Sequence, residues 1–127
     1  MTGLAASAAL VWAMGCSGWA DGYATHYRAG LFEEVAHNRD MPIASCMVAD
    51  DVAELGAFIT IRGVRTGAIR RCQVTDMSAG RATTPGSDKW RHLHDGLVEL
   101  DYDSALAICG KWFRERWRNC PIRIWRG

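Results

Sequence analysis

The sequence predicts a small all-β domain, a six-stranded barrel with one or two short helices. Its apolar segments are short and rich in β-branched residues, and glycine-rich turns separate them. One segment carries clear signals for both ends of a short helix. Many short strands with few helices favour a small closed barrel. At 127 residues the chain is long enough for a single domain with its own core.

The first half of the domain is predicted to contain a strand, a helical turn and a second strand. Residues 21–27 alternate in polarity, as a half-buried strand does, and Gly30 ends the segment. Residues 31–37 are predicted to form a turn of helix, and residues 44–49 to form a strand.

The strongest local signal is a β-hairpin. Residues 57–62 are rich in β-branched side chains, residues 63–67 form a turn between two glycines, and residues 68–75 return. The apolar phase slips between Ile69 and Cys72, which predicts a β-bulge there.

The second half begins with a long polar loop over residues 77–95. Loops of this length in small domains are usually functional or disordered. The elements expected after it are a strand at residues 97–100, a helix at residues 102–109 between an Asp101 cap and a Gly110 stop, and a last strand at residues 121–125.

Residues 1–20 are predicted to be a separate apolar segment before a barrel domain at residues 21–127. Residues 4–15 are apolar or small except for Ser7. This run is too short to cross a bilayer but suits the apolar region of a signal peptide. A secreted or cell-envelope protein is therefore expected, with a virion component as the alternative.

Processing of this segment has three interpretations. Gly18 and Ala20 are small residues at the two positions that a signal peptidase inspects, which suits cleavage before Asp21. Residues 13–16 instead form an imperfect lipobox, which would leave Cys16 lipidated and anchored. Residues 1–3 contain no Lys or Arg, which a signal peptide usually has. The third interpretation is an uncleaved segment that packs on the barrel or mediates self-association.

The charge distribution argues against nucleic acid as a partner. The net charge is +1, too small for strong long-range attraction to a polyanion. Residues 1–110 carry 9 basic and 13 acidic side chains, whereas residues 111–127 carry 6 basic and 1 acidic. The basic tail also contains Trp112, Phe113 and Trp117 between its cationic residues. It could bind an anionic polymer, or its rings could pack inward with the arginines in solvent.

Four cysteines follow the apolar segment, and an even number in an exported chain indicates two disulfides. Three pairings are open, of which we favour Cys46–Cys72 with Cys109–Cys120. The chain has no C-x-x-C motif, so no zinc knuckle is expected. His92 and His94 would share one face of a strand, but two ligands do not make a metal site. No metal or cofactor is expected.

The candidate for chemistry is Asp76, which follows a strand and precedes the polar loop. A carboxylate at the rim of a barrel is well placed to act on a ligand. The alternative is a local cap or Asx turn at the strand end.

Several short motifs resemble those of the RlpA-like double-psi β-barrel domains. Residues 22–27 resemble the G-x-A-S-x-Y opening, and residues 55–61 resemble the P-x-G-T-x-V-x-V strand. Gly67 with residues 72–76 resembles G…V-x-V-x-D, and residues 98–110 resemble I-D-L-S…A…L-G. The resemblance covers about residues 22–125. Barwin, expansin N-terminal domains and family 45 endoglucanases share this fold.

The resemblance implies binding or cleavage of extracellular polysaccharide. RlpA itself is a peptidoglycan lytic transglycosylase, and its catalytic Asp matches Asp76. Its catalytic His falls at Asp50 here, and the family's D-R-G-P continues from Asp76 as Met77, Ser78 and Ala79. These departures mean that the family's chemistry does not transfer directly. Residues 30–35 resemble the G-L-M-E-x-V segment of uncharacterised secreted or phage-encoded barrels.

We therefore expect an exported barrel that acts on peptidoglycan or another glycan, with Asp76 as general acid. Asp50 would be the second carboxyl group, unless it only forms a solvated acidic turn.

Contacts with the sugar are expected from Tyr23, Tyr27 and Trp90, whose rings suit the C–H faces of pyranoses, and His26 could border the cleft. The alternative for all four is ordinary packing. At the level of the whole chain, the alternatives are a non-catalytic glycan-binding or structural module and a self-assembling subunit.

Overall fold

The computed structural model describes residues 18–111 and 119–127, which contain six strands and three short helices. The strands are β1 (Ala20–His26), β2 (Met47–Ala49), β3 (Phe58–Gly63), β4 (Ile69–Asp76), β5 (Leu97–Leu100) and β6 (Cys120–Trp125). The helices are α1 (Leu31–Asn38), α2 (Asp88–His94) and α3 (Tyr102–Cys109). Most of the apolar segment at residues 1–20 lies outside the described residues. The tail aromatics Trp112, Phe113 and Trp117 lie wholly outside them.

The six strands close into a barrel in the order β1-β5-β2-β4-β3-β6, which confirms the predicted fold class. Of the six pairings in the ring, four are antiparallel, including that of the first strand with the last, and two are parallel, β1 with β5 and β2 with β4. Closure leaves no strand edge within this ring to attract another chain. The backbones of β1 and of the residue before β5 lie very close together at Gly22 and Gly96. A Cβ atom on Gly22 would lie only 2.4 Å from the Gly96 carbonyl oxygen, so no larger residue fits at position 22.

Two apolar clusters hold the barrel and its helices together. The first fills the interior, where Ile59, Ile61, Ile122 and Ile124 are each at most 1% exposed. Burying one such side chain stabilises the fold by about 2 kcal/mol. The second lies outside the barrel under α1, where its Phe32 packs on the outward face of β2. This outer cluster positions α1 beside the end of β4.

The helix predicted at residues 102–109 is confirmed as α3, with both of its end signals. The Asp101 carboxylate accepts a hydrogen bond from the Ser104 N–H, and Gly110 ends the helix at φ 58°. The segment at residues 77–95, however, is not one continuous loop as predicted. It contains α2, whose first turn is capped by Ser87 accepting from the Trp90 N–H. Ser87 is a typical N-cap residue, but the Thr, Pro and Gly residues before it give the segment the composition of a loop.

The predicted bulge between Ile69 and Cys72 is wrong, because β3 and β4 pair in regular register over this stretch. The register shift lies instead between β2 and β4, where Val48 faces Val74 but Ala49 faces Asp76. One extra residue of β4 is accommodated there, so the in–out alternation changes phase. Val74 points into the core, and Asp76 is turned to the outer face beside Ala49.

The four cysteines form the favoured pairs. Cys46 and Cys72 have Cα atoms 4.5 Å apart, and Cys109 and Cys120 have theirs 6.1 Å apart. Both pairs are buried and tie strands to neighbouring segments. Disulfides of this kind are typical of proteins from oxidising compartments. Within residues 18–111 and 119–127, no helix has the length and apolar character that crossing a bilayer requires.

We expect the double substitution Cys46→Ala with Cys72→Ala to lower the free energy of unfolding by about 3 kcal/mol. The two cysteines are 26 residues apart in the sequence, and removing the bond between them increases the entropy of the unfolded chain. Urea unfolding followed by circular dichroism measures the change. An unchanged midpoint in the double variant would show that this bond does not support the fold.

Candidate functional site

Asp76 ends β4 and is held by two side chains from the α1 side of the barrel. The Tyr27 hydroxyl donates to Oδ2 at 2.8 Å, and the Arg39 guanidinium donates to Oδ1 at 2.7 Å. The Asp76 side chain is 15% exposed and that of Arg39 is 39% exposed. Both carboxylate oxygens therefore accept strong hydrogen bonds, and one of the two donors reaches solvent.

Tyr27 is fixed between Asp76 and the outer apolar cluster. Its ring stacks on Phe32 with centroids 4.3 Å apart. Burial raises the pKa of Tyr27 far above its ordinary 10.0, and the hydrogen bond to Asp76 and the charges of Glu99, Asp76 and Asp51 raise it further. Tyr27 is consequently a hydrogen-bond donor that keeps its proton. It positions the Asp76 carboxylate and cannot act as a base near neutral pH.

Arg39 reaches Asp76 because it stands at the C-terminal end of α1. Its backbone N–H caps the helix by donating to the Val35 carbonyl. The side chain extends from this point over the end of β4. Sequence inspection did not identify Arg39, since the two partners are 37 residues apart and no local pattern links them.

A second acidic group adjoins Asp76 and centres on His92. Asp51 Oδ2 lies 3.2 Å from His92 Nδ1, and Glu99 Oε2 lies 3.5 Å from Nε2. Neither approach has hydrogen-bond geometry, although the ring is fully buried. Asp51 also accepts from the Ser78 backbone N–H at 3.0 Å and from its hydroxyl. The imidazole thus separates two carboxylates, and Asp51 holds the loop that follows β4.

Three neighbouring strands bring these acidic groups together. Ala49 pairs with Glu99 of β5 on one side and with Asp76 of β4 on the other. Directly paired residues project on the same face of a sheet, so both carboxyl groups lie on the outer face of β5-β2-β4. Asp51, Glu99 and His92 were not recognised as a group in the sequence.

Asp50 lies apart from this group and is fully buried. Arg126 donates to it twice, from Nε to Oδ2 at 2.9 Å and from Nη2 to Oδ1 at 2.8 Å. The backbone N–H groups of Val52 and Ala53 donate to the same carboxylate. The Arg126 contacts join the segment after β2 to the residue that follows β6. Asp50 therefore has a structural role. It is not a solvated turn, and the geometry offers no support for a catalytic role.

The expected sugar contacts are dispersed over the barrel surface. Tyr23 is 49% exposed on β1, and Trp90 stacks on His94 within α2 with centroids 4.6 Å apart. His26 contacts the Tyr102 ring edge-on and the Tyr27 carbonyl. Of the four residues, Tyr27 donates a hydrogen bond to Asp76.

His92 and His94 do not share a strand face as predicted, since both lie in α2. His92 is buried, whereas His94 is exposed.

Two surface clefts lie elsewhere, next to Tyr23. One, of about 510 Å³, is lined by Tyr23, Arg91, Asp95, Leu97 and Asn119. The other, of about 450 Å³, shares Tyr23 and Asp95 with it. Asp76 lines neither cleft, so the acidic site and these larger concave surfaces are separate.

In the part of the chain that the structure describes, no group of three or more His, Cys, Asp or Glu side chains has an arrangement able to hold a metal ion. The carboxylates around His92 approach opposite nitrogens of one ring, which leaves no shared point for a cation.

Comparison with known proteins found no match. No family model matches the chain, and neither the curated proteins nor the solved structures contain a significant match.

We expect Arg126→Met to lower the free energy of unfolding by about 3–5 kcal/mol, because it leaves the buried Asp50 carboxylate without its cation. The control is Arg123→Met in β6, three residues earlier. Its partner Asp21 is 93% exposed and lies 3.5 Å away, so its loss should cost less than about 1 kcal/mol. Urea unfolding of both variants measures the difference. Equal losses would contradict the structural role of Asp50.

We expect Tyr27→Phe to destabilise the fold by about 1.5 kcal/mol through loss of the hydrogen bond to Asp76. Since folding raises the pKa of Tyr27, its contribution is complete below the ordinary value of 10.0 and decreases as the pH rises above it. The stability gap between the native chain and Tyr27→Phe should therefore shrink between about pH 8 and about pH 11. Urea titrations at these values measure the gap, with Tyr23→Phe as the exposed control. A gap that widens would contradict the prediction.

Proposed function

We propose that the chain is an exported double-psi-type β-barrel protein that cleaves cell-wall polysaccharide, with Asp76 as general acid. One observation carries the proposal: Asp76 is a partly exposed carboxyl group at a strand end whose two oxygens accept hydrogen bonds from the side chains of Tyr27 and Arg39. A sugar hydroxyl can exchange with a side-chain donor, whereas the backbone donors at Asp50 are fixed. The two disulfides support export.

The reaction requires only one carboxyl group if the glycan supplies its own nucleophile. Asp76 gives its proton to the glycosidic oxygen as the bond from that oxygen to the anomeric carbon breaks. A hydroxyl of the same sugar attacks the anomeric carbon and forms an anhydro ring. The Asp76 carboxylate then accepts the hydroxyl proton, which restores the starting acid. No second carboxyl at position 50 is needed.

Arg39 and Tyr27 have different roles in this proposal. Arg39 is half-exposed at the Asp76 oxygen Oδ1, so an incoming glycan can displace its guanidinium. The freed oxygen then takes a proton from solvent water, which forms the acid. Once displaced, Arg39 remains close enough to donate to the glycan. Tyr27 stays on Oδ2 as a permanent donor because its phenol does not ionise near neutral pH. The carboxyl group is thereby oriented with one oxygen toward solvent.

A non-catalytic glycan-binding or structural module is the second candidate. It is favoured by the separation of Asp76 from the clefts at Tyr23, and by the ion pair that occupies Asp76 Oδ1. In this case Asp76 ties α1 to β4, and the glycan binds elsewhere. A virion or cell-surface subunit that assembles through residues 1–20 belongs to the same class. Co-sedimentation with peptidoglycan, without new anhydro or reducing ends in the products, would identify a module.

We expect Asp76→Asn to reduce release of soluble muropeptides from purified peptidoglycan by at least about 100-fold, because the amide cannot donate the acid proton. Mass analysis of the released fragments measures turnover, and circular dichroism verifies folding. Asp40→Asn is the matched control, since Asp40 is exposed and follows α1 beside Arg39. Undiminished release from a folded Asp76→Asn protein would refute the catalytic role.

A further inference from the structure

The outer face of β3 and its two neighbours carries exposed aromatic and arginine side chains. Along β3 the residues alternate, with Phe58, Thr60 and Arg62 outward and Ile59 and Ile61 in the core. The neighbours β4 and β6 flank β3 on its two sides.

Register places the arginine side chains and Trp125 in two rows across the strands. Thr60 pairs with Arg71 of β4 and with Trp125 of β6, so the larger side chains stand on either side of a small one. They are separated by two interstrand spacings, about 10 Å. In the next row Arg62 pairs with Arg123 of β6. Directly paired residues project together, so the rows form one continuous surface.

The aromatic rings are oriented by cations and by each other. The Arg71 guanidinium carbon lies 4.6 Å from the centre of the Phe58 ring. The ring centres of Trp125 and Trp19 are 5.8 Å apart, and the two ring planes are inclined at 45°. Despite these contacts, Phe58 is 46% exposed and Trp125 is 45% exposed. We call the surface formed by Phe58, Arg62, Arg71, Arg123 and Trp125 the aromatic–arginine face.

Two of the three strands of this face lie across the barrel from strands of the acidic site. In the closed ring β1-β5-β2-β4-β3-β6, strand β3 is opposite β5 and strand β6 is opposite β2. Glu99 projects from β5 and Asp76 from the end of β4, whereas Arg62 projects from β3 and Arg123 from β6. Arg71 is on β4, five residues before Asp76. The aromatic–arginine face and the acidic site are therefore separate surfaces that share only β4 among these strands.

We propose that the aromatic–arginine face binds a polysaccharide that bears carboxylate groups. Aromatic rings suit the C–H faces of pyranoses, and guanidinium groups bind carboxylates through paired donors. A polymer with sparse charges suits a surface with few cations, one of which, Arg123, already contacts Asp21. This inference rests on the proposed function for the class of ligand, and it adds a second, non-catalytic site for anchoring.

Two other occupants fit the face less well. Nucleic acid binding relies on neutralising many phosphates, and this surface offers three arginines on a nearly neutral chain. A second copy of the chain related by two-fold symmetry would bring the same arginines against one another. Sparse negative charge on a mainly uncharged polymer avoids both difficulties.

The test is co-sedimentation of the full chain with insoluble peptidoglycan, whose peptides carry carboxylates. We expect Phe58→Ala and Trp125→Ala each to weaken binding by about tenfold, because each removes one stacking surface. Arg62→Glu combined with Arg71→Glu should weaken it at low salt without disturbing the core, since both side chains are exposed. Added salt should weaken binding of the native chain, and neutral cellulose should retain it less. Tyr102→Ala, an exposed aromatic outside the face, is the control and should bind normally.

The outcomes separate this site from the acidic one. Asp76→Asn should bind the polymer normally, and the face variants should still release fragments from short soluble glycans. Retained polymer binding by all face variants would overturn the inference, even if Asp76 is catalytic. Face-dependent binding of a single-stranded oligonucleotide in place of the glycan, or a dimer that these variants dissociate, would also overturn it. Binding through the face without any cleavage would leave the inference standing and remove the enzymatic proposal.

Discussion

The structure depends on pairing carboxylates that the barrel removes from water. Asp50 is buried completely and is balanced by the two donors of Arg126. Asp76 is mostly covered and is balanced by Arg39 and Tyr27. A buried charge is tolerated only when its partners are in place. Each partner comes from a distant part of the chain, so pairing these carboxylates also fixes the path of the chain around the barrel.

The register shift between β2 and β4 connects this constraint to the proposed chemistry. Without the extra residue after Val74, regular alternation would direct Asp76 into the apolar interior with Val74. The shift turns the carboxylate to the outer face instead, where α1 supplies its donors. The same face receives Glu99 from β5 through their common neighbour Ala49. A one-residue irregularity in the sheet is thus what makes Asp76 available to a ligand.

The barrel also carries the two kinds of surface on which the two proposals rest. Carboxyl groups with side-chain donors lie on one side and suit a reaction at a single bond. Exposed rings and guanidinium groups lie on the outer face of β3 and its neighbours β4 and β6, the surface proposed to attach to a polymer. Closure makes this division possible, because the strands of a closed barrel present outer faces in opposite directions.

The sequence by itself determined the local elements. β-branched residues at 57–62 predicted a strand, Asp101 and Gly110 predicted the ends of α3, and Asp76 was identified at a strand end, because these signals lie within a few residues of one another.

Only the tertiary structure decided the partners. Tyr27 and Asp76 are 49 residues apart, and Asp50 and Arg126 are 76 apart, so no local pattern could pair them. The burial of Asp50 and the grouping of Asp51 with His92 followed from barrel closure. The physical reason is that hydrogen-bond caps and alternation act between chain neighbours, whereas ion pairs and burial depend on which distant segments the closed sheet brings together.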